Sequence, residues 1–175
     1  MRRLAQLNIV RMPRASSVAA LTLAITGLAV AGCGTVLVSE PIERRADGWT
    51  IILERLTDGP NTIRPMGYTE YSPERGMRFL HATFKFRNDS PQPRPFGYDA
   101  CDLDLEKDRV LPGLVVRVMG VMSEMPRTET YAPGEESWRM LTFSYPEGRM
   151  PTRIKCAYVT FELVHLPPPG SAVAR

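Results

Sequence analysis

Met77-Arg78-Phe79-Leu80-His81-Ala82-Thr83-Phe84-Lys85-Phe86-Arg87 puts Leu80, Ala82, Phe84 and Phe86 at one parity and His81, Thr83, Lys85 and Arg87 at the other. Successive side chains of an extended chain point to opposite faces, so a period of two marks a strand with one face in a core and one toward solvent. Asn88-Asp89-Ser90 then stops the strand with side chains that bond their own backbone in turns. His81 falls on the polar parity, where an exposed or lightly bonded imidazole is expected.

The same grammar recurs on both sides of this stretch. Trp49, Ile51 and Leu53 share one parity against Thr50 and Glu54, which predicts a first strand over Trp49 to Leu56. Tyr98 to Leu105 alternates Cys101, Leu103 and Leu105 with Asp102 and Asp104. Leu114 to Met122 and Thr128 to Tyr131 are further candidates. Ala132-Pro133-Gly134-Glu135 reads as a tight turn before Trp138 to Tyr145, and Pro146-Glu147-Gly148 as another. A last strand is expected over Arg153 to Leu163, with Ala157, Val159, Phe161 and Leu163 on one side. Sixteen prolines and 13 glycines separate these runs, and no long helical pattern competes. About seven short alternating strands predict an all-β fold, an antiparallel immunoglobulin-like β-sandwich.

The amino-terminal end has a different character. Residues 1 to 16 carry Arg2, Arg3, Arg11 and Arg14 without an acid, and the apolar run Val18 to Ala31 follows. That is the order of a secretory signal peptide. The run is short of the roughly 20 residues a membrane-spanning helix needs, so a cleaved leader is favoured over a permanent span. Met12 would also serve as a start, leaving Arg14 as the leader's charge. Arg2-Arg3 stands too far from the apolar run to read as a twin-arginine signal.

At the end of the run, Val30-Ala31-Gly32-Cys33 resembles the lipobox of bacterial lipoproteins. The resemblance implies cleavage after Gly32, with Cys33 carrying a covalent diacylglycerol and an N-acyl chain. Gly34 stands where that family's inner-membrane retention residue is usually Asp, which favours the periplasmic face of the outer membrane. The expected organisation is therefore a signal peptide over 1–32, a lipidated tether over 33–48, the sandwich over 49–166 and a Pro-rich tail over 167–175.

A lipobox, a strand like Trp49 to Leu56, the stretch Phe79 to Ser90, Leu103-Asp104-Leu105, and Pro133-Gly134-Glu135 before a strand ending near Phe143 together resemble the DUF4352-type immunoglobulin-like lipoprotein domains. The likeness spans residues 49 to 163. Cys101 and Cys156 depart from that family's pattern, as does the missing Asp-Gly turn after the Leu103 strand. The resemblance implies a non-enzymatic binding or envelope-assembly module with a partner protein in the envelope.

Charge and cysteine count follow from the leader. The chain holds 22 Lys and Arg against 19 Asp and Glu, and without the leader's four arginines the balance falls to about −1. The basic character leaves with the leader, and with it the electrostatic case for nucleic-acid binding. Of the three cysteines, Cys33 is assigned to lipid. Cys101 and Cys156 are then left to pair as a disulfide in an oxidising compartment or to stand as two buried thiols.

Few constellations suggest chemistry. Met119, Met122 and Met125 recur every three residues, a spacing that thioether Cu(I) sites use, and a periplasmic Cu(I) carrier is the alternative function. Methionines that simply fill apolar gaps read the same way. Asp99, Asp102, Asp104, Glu106 and Asp108 form a dense acidic cluster, but Lys107 and Gly113 stand where an EF-hand loop needs Gly and Glu. His81 and His165 are the only histidines and neither lies in a zinc or nucleophile motif, so no enzyme, no catalytic residue, no small-molecule substrate and no cofactor beyond the lipid are expected. The long segment between Thr57 and Gly76 carries Arg64, Tyr68, Tyr71 and Arg75, followed by Arg78. It is read either as an interaction loop, since Tyr and Arg are favoured at interfaces, or as a cover for the core.

Overall fold

The computed structural model describes residues 35–59, 62–65, 70–120 and 122–163. The leader, Cys33, Tyr68, His165 and the Pro-rich tail lie outside the described residues.

Among the described residues, thirteen strands and one 3₁₀ turn follow in order: β1 (Thr35–Val38), β2 (Ile42–Ala46), β3 (Trp49–Gly59), β4 (Met77–Asn88), β5 (Arg94–Gly97), the 3₁₀ turn (Tyr98–Ala100), β6 (Cys101–Leu105), β7 (Asp108–Val110), β8 (Leu114–Arg117), β9 (Ser123–Glu124), β10 (Thr128–Tyr131), β11 (Glu136–Pro146), β12 (Arg153–Cys156) and β13 (Val159–Glu162). Every pairing is antiparallel. The large sheet runs β1-β3-β4-β11-β8-β9, with β2 also on the β3 edge. The opposite layer is the four-stranded β13-β12-β6-β7 sheet and the β10-β5 pair. The fold is an all-β antiparallel sandwich.

The expected parities decide which face is inside. Leu80, Ala82, Phe84 and Phe86 of β4 and Leu141, Phe143 and Tyr145 of β11 are buried against Leu103, Ile154 and Phe161 of the opposite layer. Phe84 meets Phe161 with ring centroids 5.5 Å apart, and Phe86 meets Phe96 at 4.7 Å. Aromatic pairs at such separations add to the burial term and bind the two layers. On β3 the inward set shifts from Ile51 and Leu53 to Leu56, because the register slips between Leu53 and Arg55. A bulge of this kind inserts one residue and resets the alternation.

Two stretches depart from expectation. Residues 35–46 were expected to be tether but form β1 and β2, both paired with β3. The turn between β2 and β3 is Asp47-Gly48, with φ of 49° and 72°, the two positive values that a two-residue hairpin of the right twist requires. Pairing there also covers an edge of β3 that would otherwise be bare. The expected last strand is a hairpin, β12 and β13, turning at Ala157 and Tyr158. Ala157 has φ of 51° and lies in the turn, exposed, whereas Ile154 and Cys156 precede it on the buried face.

Candidate functional site

The outer face of the large sheet is not left to solvent. Ile63 and Tyr71, joined by a reciprocal backbone pair at 2.8 and 2.9 Å, lie against part of it. Ile63 packs with Phe79, Leu114 and Val116 into a second apolar cluster, with Tyr71 and Met140 at its margin. The Tyr71 hydroxyl donates to Glu124 Oε2 at 2.8 Å, which ties the segment to the β9 edge. Arg64 pairs with Glu70 and is exposed, and Arg75 is exposed as well. Of the residues singled out in this segment, Tyr71 thus takes part in the cover while Arg64 and Arg75 stand on its surface.

Beneath Tyr71 is a cleft of about 130 Å³ lined by Tyr71, Phe79, Gly113, Leu114, Thr142 and Ser144. Pockets for drug-sized ligands usually hold about 300 to 1,000 Å³. A space this small admits one side chain or its equivalent.

His81 stands on the same face of the large sheet, buried at 6% exposure, so of the exposed or lightly bonded imidazole expected at its parity the structure shows the second. Its Nδ1 shares a 3.1 Å hydrogen bond with the Thr142 hydroxyl, and its Nε2 is buried without a partner among the described residues. The Phe79 ring meets it edge-on at 5.7 Å. Burial lowers the imidazole to about 4, so it stays neutral at pH 7. The unfolded chain protonates His81 near 6.5, so its contribution to stability is complete above that pH and declines as pH falls toward 4. Between pH 7 and pH 5 the loss from this group is expected to be about 2 kcal/mol. Urea unfolding at the two pH values checks this: His81→Gln should flatten the dependence, and an unchanged slope would refute the assignment.

The other polar clusters are internally matched. Arg139 of β11 points inward and is bidentate to Glu129 of β10, with both contacts at 2.7 Å. The Tyr98 hydroxyl also bonds to Glu129 and lies 2.7 Å from the Tyr131 hydroxyl. Burial raises both phenols, Tyr131 to about 12 and Tyr98 further. Burial works against the charged form of Glu129, yet the bonds from Arg139 and Tyr98 win and hold the carboxyl below its usual range.

On the outer face of the small sheet, Asp104 is met by Arg153, by Lys155 at 3.1 Å and by Arg109 at 3.4 Å. Asp99 pairs with Arg127 and Asp108 with Arg149, so the acidic run is divided among cations rather than gathered round one point. Among the described residues no group of three or more His, Cys, Asp or Glu side chains converges in metal-binding geometry. The methionines differ in setting. Met125 packs against the main core, whereas Met119 and Met122 are exposed beyond β8.

Cys101 and Cys156 face each other across β6 and β12 as direct register partners, and a disulfide joins them. Both are fully buried.

No family model and no curated protein matches the chain. Two solved structures are similar to it. One is an uncharacterized β-sandwich protein from Clostridium difficile 630, with TM-score 0.45, 12% identity and coverage of 67% of this chain and 81% of that one. The other is a functionally unknown protein from Listeria monocytogenes EGD-e, with TM-score 0.45, 14% identity and coverage of 66% and 69%. At these scores neither carries an argument about the site.

Proposed function

We propose that this protein is a lipid-anchored, non-enzymatic binding module of the bacterial cell envelope that engages another envelope protein through the outer face of its large sheet. The single observation that carries the binding half is the cleft of about 130 Å³ beneath Tyr71, apolar in Phe79 and Leu114 and carrying hydroxyls from Thr142 and Ser144. Interfaces concentrate their energy where one anchoring side chain fills such a pocket inside a polar rim. Arg64, Glu70 and Arg75 supply exposed charged groups on the covering segment.

The anchoring half rests on the leader and on Val30-Ala31-Gly32-Cys33, and the DUF4352-type resemblance points the same way. Gly34 favours the outer membrane as the home of the lipid. The non-enzymatic reading is supported by the state of the groups that could do acid–base work. His81 is held neutral by burial, and Glu129 and Asp104 are each committed to cations.

The test places a photo-reactive side chain at Ser72, beside Tyr71, and at Thr160 on the opposite sheet, in protein expressed in intact envelopes. The expected result is one discrete adduct from position 72 that disappears when Ser144→Phe fills the cleft. Equal adducts from both positions, or adducts indifferent to Ser144→Phe, would refute the binding face.

A further inference from the structure

Strand β1 begins at Thr35, and only Gly34 separates it from the lipobox cysteine. Two residues of fully extended chain span at most about 7 Å. The headgroup layer of one leaflet is roughly 5 to 8 Å deep. A diacylglycerol on Cys33 therefore leaves Thr35 no room to rise clear of the headgroups. Thr35 is itself fixed in the fold, paired with Asp58 near the end of β3.

Register and contacts identify what else lies at that end. Asp58 pairs with Leu80 and Gly59 with Phe79, so β4 starts there at Met77, opposite Pro146 at the end of β11. Glu147 N donates to Gly76 O at 2.9 Å, which closes this end of the large sheet. Arg149, in the turn after β11, reaches Asp108 at 3.5 Å and brings in the β6–β7 turn with Lys107. Val36 at 39% and Met150 at 44% are exposed apolar side chains in this region. The opposite end of the sandwich, with Gln92 and Pro133, lies the length of β3 away, about 35 Å for eleven residues.

We propose that the Thr35 end of the sandwich is a membrane-contacting surface, held in the phospholipid headgroup layer by the two-residue link to Cys33. The proposal rests on the lipoprotein reading above. Its occupant is a bilayer surface, argued from the length of chain between the acylated residue and the first strand. The charges at this end alternate in sign, with Lys107 and Arg149 beside Glu106, Asp108 and Glu147. Such a surface suits zwitterionic headgroups, and the apolar Val36 and Met150 side chains suit the interface. The strands then stand up from the membrane, with the Gln92 end presented outward.

The experiment uses full-length protein matured in cells, with Lys107→Cys or Gln92→Cys as its free thiol, since Cys101 and Cys156 are bonded and Cys33 is acylated. A fluorophore on that thiol is read in phosphatidylcholine vesicles containing a lipid with a nitroxide on its headgroup. Quenching at position 107 is expected to be several-fold stronger than at position 92, and a ten-residue Gly/Ser insertion between Gly34 and Thr35 is expected to reduce that difference. Equal quenching at both positions in protein whose Cys33 carries the acyl mass would overturn the orientation and leave the lipoprotein reading intact. Protein lacking the acyl mass would overturn both.

Discussion

Replacing Cys101 and Cys156 together by alanine will lower the free energy of unfolding by about 4 kcal/mol, the chain-entropy value for a closed loop of this size. The two residues are 55 apart in sequence yet direct partners across β6 and β12. The bond therefore ties the last hairpin, β12 and β13, to the middle of the chain. That hairpin supplies Ile154, Val159 and Phe161 to the core, and each of its strands has only four residues. A fall of this size should lower the thermal midpoint by on the order of 10 °C. Reductant should bring the parent protein to the same midpoint and leave the double variant unaffected. A loss near zero in the double variant would mean that the hairpin is held by its apolar contacts alone.

Glu129→Ala is expected to cost about 3 to 5 kcal/mol, because it leaves a buried guanidinium without its counter-ion. Arg139 is 4% exposed and makes both of its charged contacts with this carboxylate. A buried ion pair is a weak source of net stability, but breaking one side of it is expensive. Glu129→Leu combined with Arg139→Met should therefore recover most of the loss seen in Glu129→Ala. Chemical denaturation of the single and double variants measures this directly. Equal destabilisation of the two would show that the pair contributes attraction beyond the cost of isolating one charge. The folded-state pKa of Glu129 lies below its unfolded value, so its contribution is present above the unfolded pKa and fades as pH falls through the folded one.

The layers of the sandwich were legible wherever alternation was strong. β4 and β11 are long, and the residues at their expected inward parity are buried. Legibility failed where one residue changes the parity. The buried positions of Arg153 to Leu163 run Ile154, Cys156 and then Val159, Phe161, a switch from even to odd that marks the turn at Ala157 and Tyr158. Asp47-Gly48 was an equally direct hairpin signal, and it places β2 in the sheet that the charged composition of Glu43, Arg44 and Arg45 concealed.

The candidate site was only partly accessible to such reasoning. Ile63 and Tyr71 carry no periodic pattern, so nothing local announced that they would cover the face on which His81 stands. A polar-parity histidine between Leu80 and Ala82 looks solvated until that tertiary contact is known. Arg139 was similarly hidden, since it occupies the inward parity of β11 and becomes intelligible only with Glu129 opposite. Pro95 carries no amide hydrogen, yet β5 passes through it as one strand of a two-stranded sheet, where a missing amide is tolerated.

Anchoring is the premise on which both the envelope role and the orientation of the fold depend. Mass analysis of the amino-terminal peptide from protein purified out of native membranes tests it most directly. The account requires a chain that begins at Cys33 and carries diacylglycerol on the thiol and an acyl group on the amine. A chain that retains residues 1–32, or one that begins elsewhere with Cys33 unmodified, would contradict it.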